Sequence, residues 1–225
     1  MFVKICGITS EEDALLAVAM DADAIGFIMA PSPRQVSPSH VRDIVKRLPP
    51  DVLTVGVFRD ESPKRVVDIV HGAGLGAAQL HGHETPETTT WVRERVPYVI
   101  KAFPAGSRDL DRADDFGADA ILVDSHAPGS GRVFDWSLAE GAPAGRQVVL
   151  AGGLSPANVA EAIDRVRPWG VDVATGVELT GGEPGRKDAR LVRAFVVNAR
   201  AAAPVAYESS SASPPYDWML DGEAR

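Results

Sequence analysis

The sequence has almost no cysteine and no long apolar segment, and both shortages limit what the chain can be. Cys6 is the only cysteine among 225 residues, so no disulfide can form within the chain and stability has to come from packing. No apolar run approaches the ~20 residues of a membrane-spanning helix. The residues after Met1 lack the basic region, apolar stretch and cleavage site of a signal peptide. We therefore expect a cytoplasmic protein without a membrane partner.

Positive charge is also in short supply. The chain has 23 lysines and arginines against 31 aspartates and glutamates, which gives a formal net charge of −8 at neutral pH. Broad nucleic-acid binding depends on a positive surface, so we expect no nucleic-acid partner. A small anionic metabolite stays possible, because a few donors inside one pocket can reverse the local field.

What the sequence does contain is a set of eight short apolar runs, rich in β-branched residues and separated by segments of helical length. They are Phe2–Cys6, Ala24–Met29, Val52–Phe58, Gly76–Leu80, Tyr98–Phe103, Ala120–Asp124, Gln147–Leu150 and Val171–Thr175. Alternating strands and helices predict a parallel sheet. Eight such units favour an α/β fold of one domain, a closed (β/α)8 TIM barrel, over an open Rossmann-like or flavodoxin-like sheet.

Several of the intervening segments carry signals for the start of a helix. A serine or threonine ahead of acidic residues or proline is typical of a helix N-terminus. Such starts occur at Thr9 or Ser10, at Ser62-Pro63 and at Ser155-Pro156. In the first helix the apolar residues with helical spacing are Ala14, Leu15, Val18 and Ala19.

The composition changes at the C-terminal end of the chain. We assign residues 1–203 to the catalytic barrel and residues 204–225 to a low-complexity extension, because Glu208–Pro215 is dominated by serine, alanine and proline. A disordered tail and a docking peptide that uses Tyr216, Trp218, Met219 and Leu220 both remain open.

Residues capable of chemistry collect where the predicted strands end. Active sites of such barrels lie at the C-terminal ends of the strands. The candidates at this rim are Cys6, Arg34, Gln79, His81 and Asp124. The pair of histidines in His81-Gly82-His83 would need a third ligand and an ordered second shell to hold a metal, so we expect no metal site.

The turns after the seventh and eighth strands predict a phosphate site. Glycine lets the main chain approach an oxyanion closely, and barrels often bind phosphate at this pair of loops. The candidate phosphate-binding residues are Gly152, Gly153, Thr175 and Gly176.

Together these motifs resemble the phosphoribosylanthranilate isomerase family of tryptophan biosynthesis, in register over about residues 2–200. The resemblance is carried by Val3–Thr9, Gly26-Phe27, Pro31–Arg34, Val55–Phe58, Gln79–Gly82, Leu122–Ser125, Gly129–Gly131, Phe134–Trp136, Leu150–Leu154, Gly176–Glu178, Pro184-Gly185 and Lys187-Asp188. Two features depart from the family pattern. Ala174-Thr175 stands where the family usually has two serines, and the tail after Pro204 has no counterpart.

The resemblance implies an Amadori rearrangement of N-(5-phosphoribosyl)anthranilate, with Cys6 as general base and Asp124 as general acid. Both groups start in the wrong protonation state at neutral pH, so the site is expected to lower the pKa of Cys6 and to raise that of Asp124. Arg34 would bind the anthranilate carboxylate, because its planar fork suits bidentate binding. Gln79 and His81 would line the pocket and orient the sugar or ring.

No redox step, metal or other cofactor is implied by this chemistry. A histidine-pathway aminoaldose isomerase and a non-catalytic scaffold that binds a phosphometabolite remain as alternatives, and monomer and homodimer both stay open. The loop Gly129–Gly131, which Asp135 and Trp136 follow, is expected to move over the site, with Phe134 and Trp136 anchoring the helix after it.

One ion pair can be predicted from strand geometry alone. Residues two apart on a strand share a face, so Lys4 points where Cys6 points. A lysine inside the barrel has to be paired. Because the last strand neighbours the first in a closed barrel, we expect Lys4 to pair with Asp172 beneath the active site.

Overall fold

The computed structural model describes residues 1–124 and 145–203, and its strands close into a barrel. The strands are β1 (Phe2–Cys6), β2 (Ala24–Ile28), β3 (Leu53–Phe58), β4 (Ala77–Leu80), β5 (Val99–Pro104), β6 (Ala120–Asp124), β7 (Gln147–Leu150) and β8 (Gly170–Val173). Neighbouring strands are parallel, and β8 returns to pair with β1. The predicted (β/α)8 barrel is confirmed, and closure rules out the open sheet.

Helices lie between the strands and cover the outside of the barrel. They are α1 (Glu11–Ala19), α2 (Pro38–Val45), α3 (Pro63–Ala73), α4 (Pro86–Arg93), α5 (Val159–Val166) and α6 (Ala189–Ala201), with 3-10 turns at Leu110–Phe116 and Thr175–Val177. The predicted start of the first helix is confirmed, because the Ser10 side chain caps α1 by accepting a hydrogen bond from the amide of Asp13. Ser62 likewise precedes α3, which begins at Pro63.

Two details of the helices differ from the sequence predictions. α5 begins at Val159 rather than at Pro156, because the side-chain carbonyl of Asn158 accepts a hydrogen bond from the amide of Ser155 at 2.8 Å and holds a turn ahead of the helix. In α1, Ala14 faces the barrel, whereas Leu15 is 41% exposed. The face of α1 that packs against the barrel is therefore the one that carries the small side chain of Ala14.

The barrel has an apolar layer on each side of its wall. Val3, Ile5 and Phe27 belong to the layer between strands and helices. Ala120 and Leu122 belong to the inner layer, which fills the barrel. Both faces of the strands are therefore covered, as expected for a parallel sheet whose strands are continuous apolar runs.

The middle of the interior is polar. The Lys4 ammonium donates a hydrogen bond to Asp172 at 2.8 Å, and the two residues are also direct neighbours in the register of β1 and β8. Burial alone would lower the pKa of Lys4, but Asp172 and Cys6 together outweigh it and the net shift is upward. The predicted ion pair is confirmed, and it lies directly below Cys6 on β1.

Candidate active site

Cys6 and Asp124 end strands β1 and β6, and both side chains face the barrel interior. Cys6 shares its face of β1 with Lys4, and Asp124 shares its face of β6 with the inner-layer residue Leu122. The two residues are 6% and 7% exposed. A thiol and a carboxyl group therefore open toward the same C-terminal mouth, as predicted.

A glycine on the neighbouring strand makes room for the thiol. Gly26 is the register partner of Cys6, and a Cβ atom added to it would lie 2.7 Å from the sulfur of Cys6 and 3.2 Å from the ammonium of Lys4. Any larger residue on β2 would therefore push Cys6 or Lys4 from its position. Because residue 26 has no side chain, the thiol of Cys6 and the ammonium of Lys4 both fit inside the barrel.

The electrostatic surroundings of Cys6 are mixed. Burial raises the pKa of the thiol, while the positive charges of Lys4 and Lys187 lower it without overcoming the effect of burial. The net pKa lies above the ordinary value, so the expected lowering is not found. The physical reason is that the cations are as deeply buried as the thiol, and desolvation penalises the thiolate more than they favour it.

On the other side of the mouth, Gln79 and His81, which were predicted to line the pocket, lie beside Asp124. The amide nitrogen of Gln79 lies 2.7 Å from Nδ1 of His81. With the Gln79 amide in this orientation, its nitrogen donates, so Nδ1 is the acceptor and the ring proton sits on Nε2. Nε2 in turn lies 3.2 Å from a carboxylate oxygen of Asp124. Gln79 thus selects the imidazole tautomer that presents an N–H to Asp124.

Arg34 reaches the mouth from the loop after β2, where it meets Glu178. Its Nε and Nη2 atoms donate to the two carboxylate oxygens of Glu178 at 2.6 and 2.9 Å, and Nη2 also donates to the hydroxyl of Thr175 at 3.1 Å. Among residues 1–124 and 145–203, Nη1 donates no hydrogen bond. Glu178 and Thr175 therefore occupy Nε and both protons of Nη2, and only Nη1 is left for an anion.

The predicted phosphate-binding residues lie on two loops that touch. A Cβ atom at Gly176 would lie 1.9 Å from the carbonyl oxygen of Leu154, so the loops after β7 and β8 approach each other more closely than any other residue would allow. Gly152 and Gly153 have positive φ angles of 88° and 69°. Within the described ranges, neither of their amides donates to another main-chain group. These amides are available to an oxyanion.

Comparison with known proteins identifies the family. The sequence model of the family described as N-(5'phosphoribosyl)anthranilate (PRA) isomerase matches residues 3–198. The chain belongs to the phosphoribosylanthranilate isomerase family. A family member from Desulforudis audaxviator, named N-(5'-phosphoribosyl)anthranilate isomerase, is 50% identical over 207 residues, which cover 89% of this chain and 98% of that protein. The resemblance inferred from the motifs is confirmed.

Solved structures of phosphoribosylanthranilate isomerases have the same fold. The enzyme from Thermus thermophilus is 43% identical, with a TM-score of 0.82 over 89% of this chain and 99% of that chain. A second structure, also 43% identical, has a TM-score of 0.78 with the same coverage. That protein was crystallised in complex with reduced 1-(o-carboxyphenylamino)-1-deoxyribulose 5-phosphate.

The sequence patterns did not identify two charged residues, Glu178 and Lys187, as members of the site. Glu178 and Lys187 stand in the motifs that resemble phosphoribosylanthranilate isomerase, yet nothing local in the sequence marks them as partners of Arg34 or Cys6. In the structure the ammonium of Lys187 lies 2.7 Å from the carbonyl oxygen of Cys6 and 3.2 Å from Glu178. The only signal in the sequence was their shared loop, which carries two opposite charges nine residues apart.

The two histidines considered as metal ligands have different partners. His81 contacts Asp124, whereas the side chain of His83 is 88% exposed and lies 3.4 Å from Asp60. Within the part of the chain that the structure describes, no three histidine, cysteine or acidic side chains are grouped so as to hold a metal ion.

Some predictions fall on parts of the chain that the structure does not describe. They concern the loop Gly129–Gly131, the residues Phe134, Asp135 and Trp136, and the extension at 204–225. They stay predictions, as does the domain boundary at residue 203. Over the described ranges, no helix has both the length and the apolarity needed to cross a membrane.

Proposed function

We propose that this chain catalyses the Amadori rearrangement of N-(5-phosphoribosyl)anthranilate to 1-(2-carboxyphenylamino)-1-deoxyribulose 5-phosphate, a step of tryptophan biosynthesis. The observation that carries this proposal is the presence of Cys6 and Asp124 at the same barrel mouth, in a chain of the phosphoribosylanthranilate isomerase family. The complex of a related enzyme with a reduced form of the same ribulose phosphate supports it.

Asp124 is the general acid of the first step. It protonates the ring oxygen of the ribose, and the ring opens to a Schiff base between the sugar carbon 1 and the anthranilate nitrogen. The N–H of His81, 3.2 Å from the Asp124 carboxylate, steadies the carboxylate that remains after the proton has left. Gln79 supports this arrangement by keeping the ring proton on the nitrogen that faces Asp124.

Cys6 is the general base of the second step. As the thiolate it removes the proton from sugar carbon 2, which gives an enolamine that tautomerises to the ketone. The charges of Lys4 and Lys187 favour the thiolate, and burial opposes it. Proton removal therefore depends on the fraction of Cys6 that is ionised, a dependence that pH can reveal.

Two anion sites hold the substrate around these groups. Nη1 of Arg34 binds the anthranilate carboxylate, while Glu178 and Thr175 hold Nε and Nη2. The amides of Gly152 and Gly153 and the turn at Thr175-Gly176 bind the 5-phosphate. Gln79 and His81 line the space between, where the side-chain oxygen of Gln79, buried and without a partner in the described part of the chain, can accept a hydrogen bond from a sugar hydroxyl.

The deciding test is an assay that follows the loss of phosphoribosylanthranilate fluorescence with the full-length protein. We expect turnover of this substrate and much slower turnover of the histidine-pathway aminoaldose. Arg34→Ala should raise KM far more than it lowers kcat, because it removes binding rather than chemistry. Binding of the product without turnover would instead support the phosphometabolite scaffold, and preference for the other aminoaldose would support that pathway.

The extension and the assembly state enter the proposal as predictions only. We expect the active protein to be a cytoplasmic monomer or homodimer that acts on a small molecule. Deleting residues 205–225 and measuring kinetics, stability and partner binding tests the docking peptide. Unchanged values in all three measurements would remove that role.

A further inference from the structure

A loop after β8 folds back over the end of β1. Glu178 and Lys187 form an antiparallel bridge, supported by hydrogen bonds from the amide of Leu179 to the carbonyl of Arg186 at 3.0 Å and from the amide of Asp188 to the carbonyl of Val177 at 2.9 Å. This hairpin places the side chain of Lys187 beneath the loop, where it is fully buried. A buried ammonium is costly unless each of its protons has a partner.

Lys187 has three such partners. Its Nζ donates to the carbonyl oxygen of Cys6 at 2.7 Å, to that of Ala174 at 3.2 Å and to Oε1 of Glu178 at 3.2 Å. An ammonium group has three protons, so its donors are saturated. Cys6 ends β1, and Ala174 follows the last residue of β8, so one side chain ties the ends of two neighbouring strands together.

Glu178 carries this connection on to Arg34. Oε1 accepts from both Lys187 and Nε of Arg34, and Oε2 accepts from Nη2 of Arg34. Gly7 leaves room for Arg34 in this cluster, because a Cβ atom at position 7 would lie 2.8 Å from Cδ of Arg34. The arginine is thereby held against the chain segment that follows Cys6.

The charges of the three side chains have a consequence for anion binding. Arg34 and Glu178 alone form a neutral pair, and a neutral pair has little attraction for a second carboxylate. Lys187 restores one net positive charge to the cluster. Burial lowers the pKa of Lys187 below its ordinary value, and Glu178 and Cys6 offset only part of that effect.

We propose that Lys187 is a positioning residue for the isomerase reaction. It holds the main chain that carries Cys6, orients Arg34 through Glu178, and supplies the positive charge that lets Arg34 bind a substrate carboxylate beside a protein one. This inference rests on the proposed function for the identity of the carboxylate, but not for the effect of Lys187 on the Cys6 thiol.

The test compares Lys187→Met, which keeps the side chain up to the position of Cε, with Lys187→Arg, which keeps the charge. Lys187→Met should lower kcat/KM by at least about 10²-fold, through a higher KM and a lower kcat, and Lys187→Arg should recover part of the loss. Glu178→Gln should act mainly on KM, because it disturbs Arg34 while Lys187 still holds Cys6.

The thiol provides a readout that needs no turnover. Cys6 is the only cysteine in the chain, so the ultraviolet absorbance of thiolate, after subtraction of the tyrosine signal measured in a matched Cys6→Ser variant, reports its ionisation. Lys187→Met should move this titration to higher pH, whereas Glu178→Gln should not raise it. The expected shift supports the inference even if the wild-type protein fails to turn over phosphoribosylanthranilate. Such a failure of turnover would contradict only the proposed function.

Arg186→Gln is the matched control. Arg186 lies next to Lys187 and anchors the same loop to α1, with Nη2 3.2 Å from Glu12 and Nε 3.6 Å from Asp13. It should leave kcat, KM and the thiol titration near their wild-type values. If Arg186→Gln reproduces the defects of Lys187→Met, or if Lys187→Met leaves the titration unchanged, the loop acts only as a structural anchor and the inference is wrong.

A second arm tests the charge argument by itself. Lys187→Met should weaken binding of the reduced carboxyphenylamino product analogue by at least about tenfold more than binding of the phenylamino analogue that lacks the carboxylate. Equal weakening of both ligands would show that Lys187 serves the fold rather than Arg34. Should Lys187→Met fail to fold, Lys187→Gln is used for the same two-ligand comparison.

Discussion

The two catalytic groups proposed here are equally buried, yet their surroundings differ in kind. Cys6, on the thiol side of the mouth, lies near two ammonium groups, those of Lys4 and Lys187, each held by a carboxylate. Asp124, on the carboxyl side, faces an imidazole whose tautomer is selected by the neutral amide of Gln79. Equal burial therefore does not determine which charged or polar groups surround an ionisable residue at the rim of the barrel.

The difference follows from what each group has to become. A thiol has to lose a proton to act as a base, so cations are the useful neighbours, and each cation then needs a partner of its own. A carboxyl group has to deliver a proton and keep its position, for which one directed donor is enough. The neighbours of the thiol are thus members of ion pairs, whereas the neighbour of the carboxyl group is an imidazole held by a neutral amide.

The largest effect is expected from breaking an ion pair on the thiol side. Lys4→Met should lower the free energy of unfolding by about 3–5 kcal/mol, because it leaves Asp172 buried without its partner. Urea unfolding measures this loss. The matched change on the carboxyl side, Gln79→Leu, removes a neutral group and should cost less. Equal losses in the two variants would contradict the contrast between the two sides.

The next effect concerns catalysis itself. Cys6→Ser and Asp124→Asn should each lower kcat by at least about 10²-fold while largely sparing product binding, because each removes a proton-transfer group and little contact area. Steady-state kinetics and product titration measure the two quantities. Near-normal turnover in both variants would reject the assigned roles.

The pH dependence sharpens the same prediction. Burial raises the pKa of the Cys6 thiol above its ordinary value, and the base acts as thiolate, so kcat/KM of the wild type should keep rising with pH beyond the ordinary range for cysteine. The stability contributed by the protonated thiol is full below the unfolded-state pKa and is lost as pH rises through the raised folded-state pKa. Cys6→Ser should lose less stability in that alkaline window.

The smallest effect is expected from the imidazole tautomer. Gln79→Leu should lower kcat by no more than about tenfold, since His81 stays in place but is no longer restricted to the tautomer with its proton on Nε2. Nitrogen NMR of the histidine rings measures the tautomer. Gln79→Glu is the companion variant, because its carboxylate would accept from Nδ1 and draw the proton to that side. A ring that keeps its proton on Nε2 in both variants would show that Gln79 does not select it.

Local pattern was enough to predict the barrel and much of its rim. Eight apolar runs with helical spacers correspond to eight strands, and the serine at position 10 caps α1 where expected. The ion pair of Lys4 and Asp172 could also be predicted, because the two-residue repeat of a strand and the closure of the barrel fix which side chains meet. The same repeat places Cys6 and Asp124 on the inner face.

The ion-pair partners in the site and the direction of the pKa shift of Cys6 could be determined only from the tertiary structure. Arg34 and Glu178 are 144 residues apart, and only the return of β8 to β1 brings them into contact. The pKa of Cys6 shifts upward, against expectation, because desolvation depends on everything packed around the thiol. The sequence by itself determined which side chains face the mouth, since periodicity and closure are local and topological rules. Only the tertiary structure decided which charges are neighbours and how deeply they are buried, since both depend on distances in space.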